Sequence, residues 1–279
     1  MFYSPLRYPG GKGKILNFMK ELIIENNLSN SEYVEPYAGG ASIAMGLLIE
    51  GFVSKIHIND LDKGVYFFWW AILNKTNDFI AKIETTELTI NEWKKQRNIY
   101  NNVSEYNKFE VGFATFFLNR CNFSGVIKGG PIGGLEQNGT WKLDARFNKP
   151  ELIKRIEKIA KYKTKIKLYN KDTLRLLKSK EEQFKNAILY LDPPYFVKGN
   201  QLYKNHYKAE DHEKIVEVVK NIKAHWVVSY DNVPQICKLY NFARSNEFDI
   251  KYSAGKTKSG HEIMFFSDSL IIPDKKVCG

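Results

Sequence analysis

The chain has 279 residues, which is enough for one large domain or for a core domain with a second domain inserted into it. Its 43% apolar and 26% charged residues exclude extensive disorder, and its three cysteines, with no CxxC pair, exclude a disulfide scaffold and a zinc ribbon. The formal net charge of +11 favours an anionic partner such as nucleic acid, an anionic membrane surface or a phosphorylated substrate.

The first 62 residues predict the beginning of a parallel α/β sheet. Residues 33–36 are a predicted strand that runs into a glycine turn, residues 41–50 are a predicted helix, and residues 54–59 are a second strand with alternating apolar side chains. Strand, glycine turn, helix and strand in this order are typical of a βαβ unit.

Residues 63–164 change to helical periodicity, which predicts a mainly helical insertion. Thr89 and Asn148 are each placed to cap a helix. The glycine-rich residues 119–147 lie between the helical stretches and predict a β-hairpin or an ordered loop.

From residue 165 onwards the α/β pattern resumes. The predicted order is strand, helix, strand, helix, strand and a pair of strands, at residues 165–169, 172–178, 187–191, 210–223, 226–230 and 250–266. The predicted fold class is therefore α/β, with a sheet domain made of residues 1–62 and 165–279 and interrupted by residues 63–164.

Basic residues concentrate within the predicted insertion. Between Leu118 and Lys163 there are ten Lys or Arg and four Asp or Glu, a surplus of six that is over half of the +11 of the whole chain. A basic, glycine-rich segment with aromatic side chains suits a phosphate backbone and base edges better than a membrane. Lysines that only solvate a helical face would produce the same surplus, so that alternative stays open here.

The sequence predicts no membrane span. The longest apolar run, Val65–Leu73, has nine residues, about half of the ~20 that a bilayer requires. The first residues carry basic and glycine side chains where a signal peptide needs an apolar stretch. We therefore expect a cytoplasmic protein.

The strongest short motif is Asp192-Pro193-Pro194-Tyr195, directly after a predicted apolar strand. Ligands bind at this carboxyl edge in open α/β sheets. The prolines remove two backbone donors, which leaves the Asp192 carboxylate and the Pro193 carbonyl as rigid acceptors beside an aromatic ring. Such an acceptor pair suits a planar ring that carries an amino group, and a turn that merely ends the strand is the alternative.

A second motif is the turn Glu35–Ser42, in which Gly39 and Gly40 follow a predicted strand. Glycines at a strand-to-helix turn allow a ligand to approach the backbone, although such a turn can also be purely structural. Asp60, at the end of the next strand, is placed to accept hydrogen bonds from a ribose.

Other site types find no support in the sequence. Neither the turn nor a third glycine-rich segment, Arg7–Lys14, matches a dinucleotide-binding fingerprint or a phosphate loop, which argues against a nucleotide triphosphatase. The five histidines show no metal-ligand spacing, and a Ser-His-Asp arrangement is absent, so we predict no metal site.

Together these segments resemble one family, the Dam-like, α-type adenine-specific DNA methyltransferases of bacteria and phages. The matching motifs are RYPGGK at Arg7–Lys12, EPYAGGAS at Glu35–Ser42 and DPPY at Asp192–Tyr195, and FLNRCNFSG at Phe117–Gly125 is similar to the family's target-recognition domain. The resemblance spans most of the chain. It implies a Rossmann-like, S-adenosylmethionine-dependent methyltransferase sheet with residues 63–164 as the target-recognition, DNA-binding insertion.

The resemblance also implies the cofactor, S-adenosylmethionine, with S-adenosylhomocysteine as product and no metal. The residues at the family's cofactor-binding positions are Tyr8, Lys12, Glu35, Tyr37, Gly39, Gly40, Asp60, Asp172 and Asp192. Thr173 stands where the family often has Phe, and Glu35 and Tyr37 stand where Asp and Phe are commoner.

The implied reaction is transfer of a methyl group to the exocyclic amine of adenine at a specific site of duplex DNA, directly and after the base has flipped out. The implied catalytic residues are Asp192, Pro193, Pro194 and Tyr195. Candidate contacts to DNA in the insertion are Arg120, Asn122, Ser124, Lys128, Lys142 and Arg146. We expect a monomer that acts on double-stranded DNA, with a cognate restriction endonuclease as an optional partner.

Two other classes of function stay open at this point. DPPY-like tetrapeptides also serve methyltransferases that act on RNA bases, and NPPY serves those that act on protein glutamine. A catalytically idle nucleic-acid-binding module would share the basic insertion. The long insertion and the RYPGGK motif favour DNA.

Overall fold

A seven-stranded sheet is the core of one part of the chain in this computed structural model, which describes residues 3–7, 13–196, 207–252 and 258–274. The strands are β1 (Glu32–Glu35), β2 (Lys55–Asn59), β3 (Ile166–Tyr169), β4 (Ile188–Leu191), β5 (His225–Asp231), β6 (Arg244–Tyr252) and β7 (Lys258–Phe266). Their order in the sheet is β3-β2-β1-β4-β5-β7-β6. The first five strands in this order are parallel, and β7 is antiparallel to both β5 and β6. The predicted α/β, Rossmann-like class is confirmed.

The helices are α1 (Gly13–Glu25), α2 (Ser42–Ile49), α3 (Lys63–Asn74), α4 (Thr76–Thr85), α5 (Ile90–Asn101), α6 (Lys108–Cys121), α7 (Lys149–Ala160), α8 (Thr173–Ser179), α9 (Glu181–Phe184), α10 (Ala209–Asn221) and α11 (Pro234–Leu239). Apolar side chains of α8 to α11 form one core cluster with β1, β4, β5 and β7. All four residues of β4 are buried, as expected for a strand covered on both faces. The sequence did not predict α1, α9 or α11, and β6 begins at Arg244 instead of residue 250.

The sheet order positions the site. β1 lies between β2 and β4, so the chain passes from one side of β1 to the other when it reaches β4. Tyr33 of β1 pairs with Ile188 of β4 in parallel register, which brings the carboxyl ends of both strands to the same edge. Open α/β sheets bind ligands at such a switch point.

Backbone contacts group the described residues into two units. The sheet unit contains residues 13–62, 165–252 and 258–274, and the helical unit contains Lys63–Thr164 together with residues 3–7. Residues 3–7 therefore pack with the helical unit, whereas the sequence grouped residues 1–62 with the sheet. The assignment of these units to catalysis and target recognition stays a prediction.

The caps predicted for two helices of the helical unit are confirmed. The Thr89 hydroxyl accepts a hydrogen bond from the Glu92 amide at 3.1 Å at the start of α5. The Asn148 side chain does the same for the Glu151 amide at 3.1 Å at the start of α7. Each cap satisfies a backbone donor that the first helical turn leaves without a partner.

The glycine-rich segment is an ordered loop and not a hairpin. Gly133 and Gly134 have φ of 86° and 76°, and the chain turns back on itself at these residues. The Gln137 side chain closes the turn, because its Nε2 donates to the Ile132 carbonyl at 2.7 Å and its Oε1 accepts from the Leu143 amide at 2.8 Å. The described residues of the segment form one isolated antiparallel bridge, between Asn122 and Pro131, and no longer ladder of a hairpin. None of the described helices has the length and apolar character to cross a membrane.

We expect Gly112→Ala to destabilise the helical unit. A Cβ at Gly112 of α6 would lie 2.5 Å from the Phe67 carbonyl oxygen and 2.9 Å from the Phe68 nitrogen, which are backbone atoms of α3. Forced separation of the two helices should lower the free energy of unfolding by about 1–3 kcal/mol, despite alanine's better helix propensity. Urea denaturation measures the loss. Gly130→Ala is the control, since a Cβ there has no atom within 4 Å, and equal stability of the two variants would contradict this packing.

Candidate active site

Acidic side chains follow each of the parallel strands β1 to β4. Glu35 is the last residue of β1, Asp60 follows β2, Asp172 comes three residues after β3, and Asp192 follows β4. Because these strands are parallel neighbours, all four carboxyl groups belong to one edge of the sheet. An acidic edge on a chain of net charge +11 suits a ligand that carries positive charge.

A chain of buried hydroxyl groups holds the Asp192 carboxylate. The Ser229 hydroxyl donates to Asp192 Oδ1 at 2.8 Å, and the Tyr190 hydroxyl lies 2.8 Å from the Ser229 oxygen. Since Ser229 gives its hydrogen to the carboxylate, Tyr190 donates to Ser229. Both hydroxyl residues are buried in β4 and β5, so the core of the sheet orients Asp192.

The segment after the two prolines is tied to other strands of the sheet. The Tyr195 hydroxyl donates to the buried Glu262 of β7 at 2.6 Å, and the Phe196 amide donates to Asp231 at the end of β5 at 2.9 Å. Pro193 is buried and Pro194 is half-buried. Tyr195 is only 6% exposed, so its ring position is set by the sheet.

Glu35 supports the glycine turn from within. Its carboxylate is buried and accepts from the Ala44 amide at 3.0 Å and from the Tyr33 hydroxyl at 3.2 Å. Ala44 is the third residue of α2, whose N-cap residue Ala41 has no side-chain cap. Glu35 therefore supplies the missing cap and complements the positive end of the helix dipole.

Asp60 joins the glycine turn to the end of β2. Its two carboxyl oxygens accept from the amides of Gly39 and Asp62, both at 2.9 Å. Gly39 has φ of 46°, a left-handed conformation that favours glycine, and Gly40 is buried beside it. Burial, and then the charge of Asp62, raise the pKa of Asp60 to about 7 although both backbone bonds favour the ionised form.

One buried amide connects three strand ends. Asn59 Nδ2 donates to the carbonyls of Pro36 and Lys171 at 2.9 and 3.0 Å, and Asn59 Oδ1 accepts from the Lys171 amide at 2.9 Å. Hydrogen bonds of one side chain therefore join the loops after β1, β2 and β3. Neither Asn59 nor Ser229 was a candidate from the sequence, although a polar residue inside an apolar strand was a usable signal in both cases.

The remaining cofactor candidates have structural contacts of their own. The Tyr37 and Tyr207 hydroxyls lie 3.0 Å apart, and burial raises the pKa of Tyr37 well above its usual value. Asp172 caps α8 by accepting from the Arg175 amide at 3.1 Å. Thr173, which replaces the family's Phe, donates to the Pro36 carbonyl at 3.2 Å. Tyr8 and Lys12 lie outside the described residues.

The candidate DNA contacts divide by exposure within the helical unit. Lys128, Lys142 and Arg146 are exposed, and Ser124 is half-buried with φ of 55°.

Asn122 is buried, and its amide is used within the loop. It accepts from Trp93 Nε1 at 2.7 Å and donates to the carbonyls of Val126 and Ile127 at 2.9 and 2.8 Å. We therefore assign Asn122 to the scaffold of the loop instead of to base reading.

Arg120 is also buried, at 8% exposure. The described residues include no group of three or more His, Cys, Asp or Glu that could hold a metal.

One family model matches most of the chain. A model of the family described as D12 class N6 adenine-specific DNA methyltransferase matches residues 8–257. The chain is 23% identical over 208 residues to the Type II methyltransferase M.MjaIII of Methanocaldococcus jannaschii, an alignment that covers 68% of each protein.

Two solved structures align with the chain at low similarity. PH1948 of Pyrococcus horikoshii, assigned as an RNA methyltransferase, has a TM-score of 0.39 and 12% identity, over 88% of this chain and 81% of that one. The protein lmo1582 of Listeria monocytogenes, assigned as a class I S-adenosylmethionine-dependent methyltransferase, has a TM-score of 0.38 and 10% identity, over 95% of this chain and 64% of that one.

We expect cofactor affinity to rise as Asp60 loses its proton. Because its pKa is raised to about 7, the carboxyl is mostly neutral at about pH 6 and mostly ionised at about pH 8, and only the ionised form makes charge-assisted bonds worth about 1.5–3 kcal/mol. Calorimetric titration with S-adenosylhomocysteine should therefore give a lower Kd at the higher pH. Asp60→Asn should bind weakly at both values, and Asp62→Asn should move the midpoint to lower pH. A pH-independent Kd for the wild type would rule out this role of Asp60.

We expect Ser229→Ala to lower kcat by about tenfold to a hundredfold with little change in KM, because it releases a carboxylate held by a charge-assisted hydrogen bond. Tyr190→Phe removes only the outer hydroxyl and should cost less than Ser229→Ala. Steady-state methyl transfer to DNA measures both. Wild-type kcat in Ser229→Ala would show that the hydroxyl chain does not orient Asp192.

Proposed function

The chain belongs to the D12 class N6 adenine-specific DNA methyltransferase family, and from this membership we propose that it methylates adenine at a specific site of duplex DNA, by base flipping and direct transfer. It is an S-adenosylmethionine-dependent enzyme, and its substrate is DNA. The observation that carries the finer proposal is the Asp192 carboxylate, held by Ser229 at the switch point of the sheet.

The acidic edge fits the cofactor's chemistry. S-adenosylmethionine supplies a methyl group on a positively charged sulfonium, and Glu35, Asp60, Asp172 and Asp192 are the carboxyl groups at this edge. In this proposal Asp60 accepts hydrogen bonds from a ribose. Glu35 acts indirectly, since its contacts hold the glycine turn against α2.

Asp192 and the Pro193 carbonyl would activate the target amine. The lone pair of the adenine amino group is delocalised into the ring, which makes this nitrogen a poor nucleophile. Two acceptors that each take one amino hydrogen draw the nitrogen toward a pyramidal geometry, and the carboxylate stabilises the positive charge that develops on it. Ser229 limits the rotation of Asp192, so this arrangement is in place before the base arrives.

The target adenine cannot reach Asp192 while it is stacked in a duplex, so we infer that it is extruded. Extrusion costs a few kcal/mol, and an aromatic contact returns about 1–3 kcal/mol. Tyr195 is the aromatic residue of the motif, and its bond to Glu262 keeps the ring in place. The exposed cations Lys128, Lys142 and Arg146 would contact the DNA backbone.

We further propose that the enzyme acts as a monomer. Its similarity to a protein named a Type II methyltransferase supports a place in a restriction–modification system, with a cognate endonuclease as partner. The cytoplasmic location stays a prediction from the sequence.

Asp192→Asn tests the mechanism. It keeps the shape of the side chain but removes the charge, so turnover should fall by about 10²–10³-fold, as for the loss of other transition-state contacts. The measurement is tritium transfer from labelled cofactor to duplex DNA, with structured RNA and single-stranded DNA as alternative substrates. S-adenosylhomocysteine affinity is the control and should stay within a few-fold of the wild type. Near-normal turnover of the variant, or preferred labelling of RNA, would refute the proposal.

A further inference from the structure

Two arginine side chains of the helical unit, one buried and one half-buried, have no acidic partner among the described residues. Arg120 of α6 is 8% exposed, and its Nε has no hydrogen-bond partner among the described residues. Arg7 is half-buried, and its Nη1 is likewise buried without a partner there. The ranges outside the described residues contain no Asp or Glu that could pair with them.

The fold brings these two side chains together by specific bonds. Asn119, the neighbour of Arg120 in α6, accepts from the Arg7 amide and donates to the Arg7 carbonyl, both at 2.7 Å. Gly125 allows this close approach of the Arg7 backbone, since a Cβ at this position would lie 2.8 Å from the Arg7 carbonyl oxygen. Asn119 and Gly125 therefore fix the Arg7 backbone beside α6.

Two more cations lie close to this pair. Arg155 Nη1 donates to the Ser4 carbonyl at 3.3 Å. The positive charge of exposed Arg146 lowers the pKa of both Arg7 and Arg120. The pKa of Arg120 is lowered to about 9, first by burial and then by Arg7 and Arg155.

Few acidic groups oppose these cations. A carboxylate oxygen of Glu151 lies 3.7 Å from Arg155. The negative charge of exposed Asp144 contributes to the raised pKa of Cys121, the residue after Arg120. A cationic group that is buried without a counter-ion destabilises a folded protein. An added anion that binds these arginines would therefore stabilise the folded protein.

We propose that Arg7 and Arg120 form a pocket for one backbone phosphate of the DNA substrate. This inference rests on the proposed function and names the ligand class of these two side chains. A phosphodiester fits better than a base edge, because a neutral base cannot compensate two uncompensated positive charges. Guanidinium forks also match phosphate oxygens in paired hydrogen bonds. Arg146, whose charge acts on both side chains, is exposed, so we place the opening of the proposed pocket on its side.

The pocket gives Arg120→Met a distinctive pattern of effects. The substitution keeps an apolar stem and removes the charge, so DNA affinity should fall roughly tenfold at 0.1 M salt, and the slope of log K against log salt should become shallower by about 0.9. The loss should be equal for cognate and unrelated duplexes, because a phosphate carries no sequence information. Fluorescence anisotropy with labelled duplexes at several salt concentrations measures both quantities. Lys238→Gln, an exposed charge removal in the sheet unit, is the control and should leave the slope unchanged.

The stability of the DNA-free protein is the second readout. Removal of an uncompensated buried cation should leave the Tm of Arg120→Met at or above that of the wild type. Inorganic phosphate should raise the Tm of the wild type more than that of Arg120→Met at equal ionic strength, a comparison that cancels the general stabilisation by phosphate. A lower Tm of the variant, an equal phosphate response or an unchanged salt slope overturns the pocket.

These readouts separate the pocket from the proposed function. If the wild type neither binds nor methylates duplex DNA, the proposed function fails, while the difference in phosphate response still supports an anion site at Arg120. If the wild type methylates adenine and Arg120→Met binds DNA normally, the pocket fails and the proposed function stands.

Discussion

The hydrogen bond from Ser229 to Asp192 joins the proposed catalytic carboxylate to the core of the sheet. Asp192 belongs to a loop, yet its position depends on two buried strands, because Ser229 lies in β5 and is itself held by Tyr190 of β4. Tyr195 and Phe196 extend this dependence to β7 and to the end of β5. A loop held at three points by buried polar groups offers its acceptors in a fixed geometry, which is what a reaction limited by alignment requires.

Buried polar side chains also hold the loops at the proposed cofactor-binding end of the sheet. Glu35, Asn59 and Asp60 each bind backbone groups of a neighbouring loop, so the turns after β1, β2 and β3 form one unit. Most buried polar groups in folded proteins are hydrogen-bonded, and here their partners are the loops that would surround a ligand. Burial at this edge raises the pKa of Asp60 to about 7, even though its backbone hydrogen bonds favour the ionised form.

The two units carry opposite electrostatic character. The carboxyl edge of the sheet is acidic, whereas the helical unit holds most of the positive surplus, including the uncompensated Arg7 and Arg120. An acidic edge suits a cationic methyl donor, and a basic helical unit suits a polyanion. In the proposed function, this division lets one chain of net charge +11 bind both ligands.

The sequence by itself determined the fold class, the helix caps at Thr89 and Asn148, and the DPPY motif at the end of a buried strand, because these follow from periodicity and from local backbone chemistry. Tertiary structure alone decided the partner of each polar side chain. Asn122 reads in sequence as a DNA contact but is buried in its loop. The bond from the Ala44 amide to Glu35 could not be read from the sequence either. Ser229 and Asn59 gained their roles only when distant strands became neighbours. Hydrogen bonds act over about 3 Å, so residues far apart in the chain become partners only through the folded arrangement of the strands.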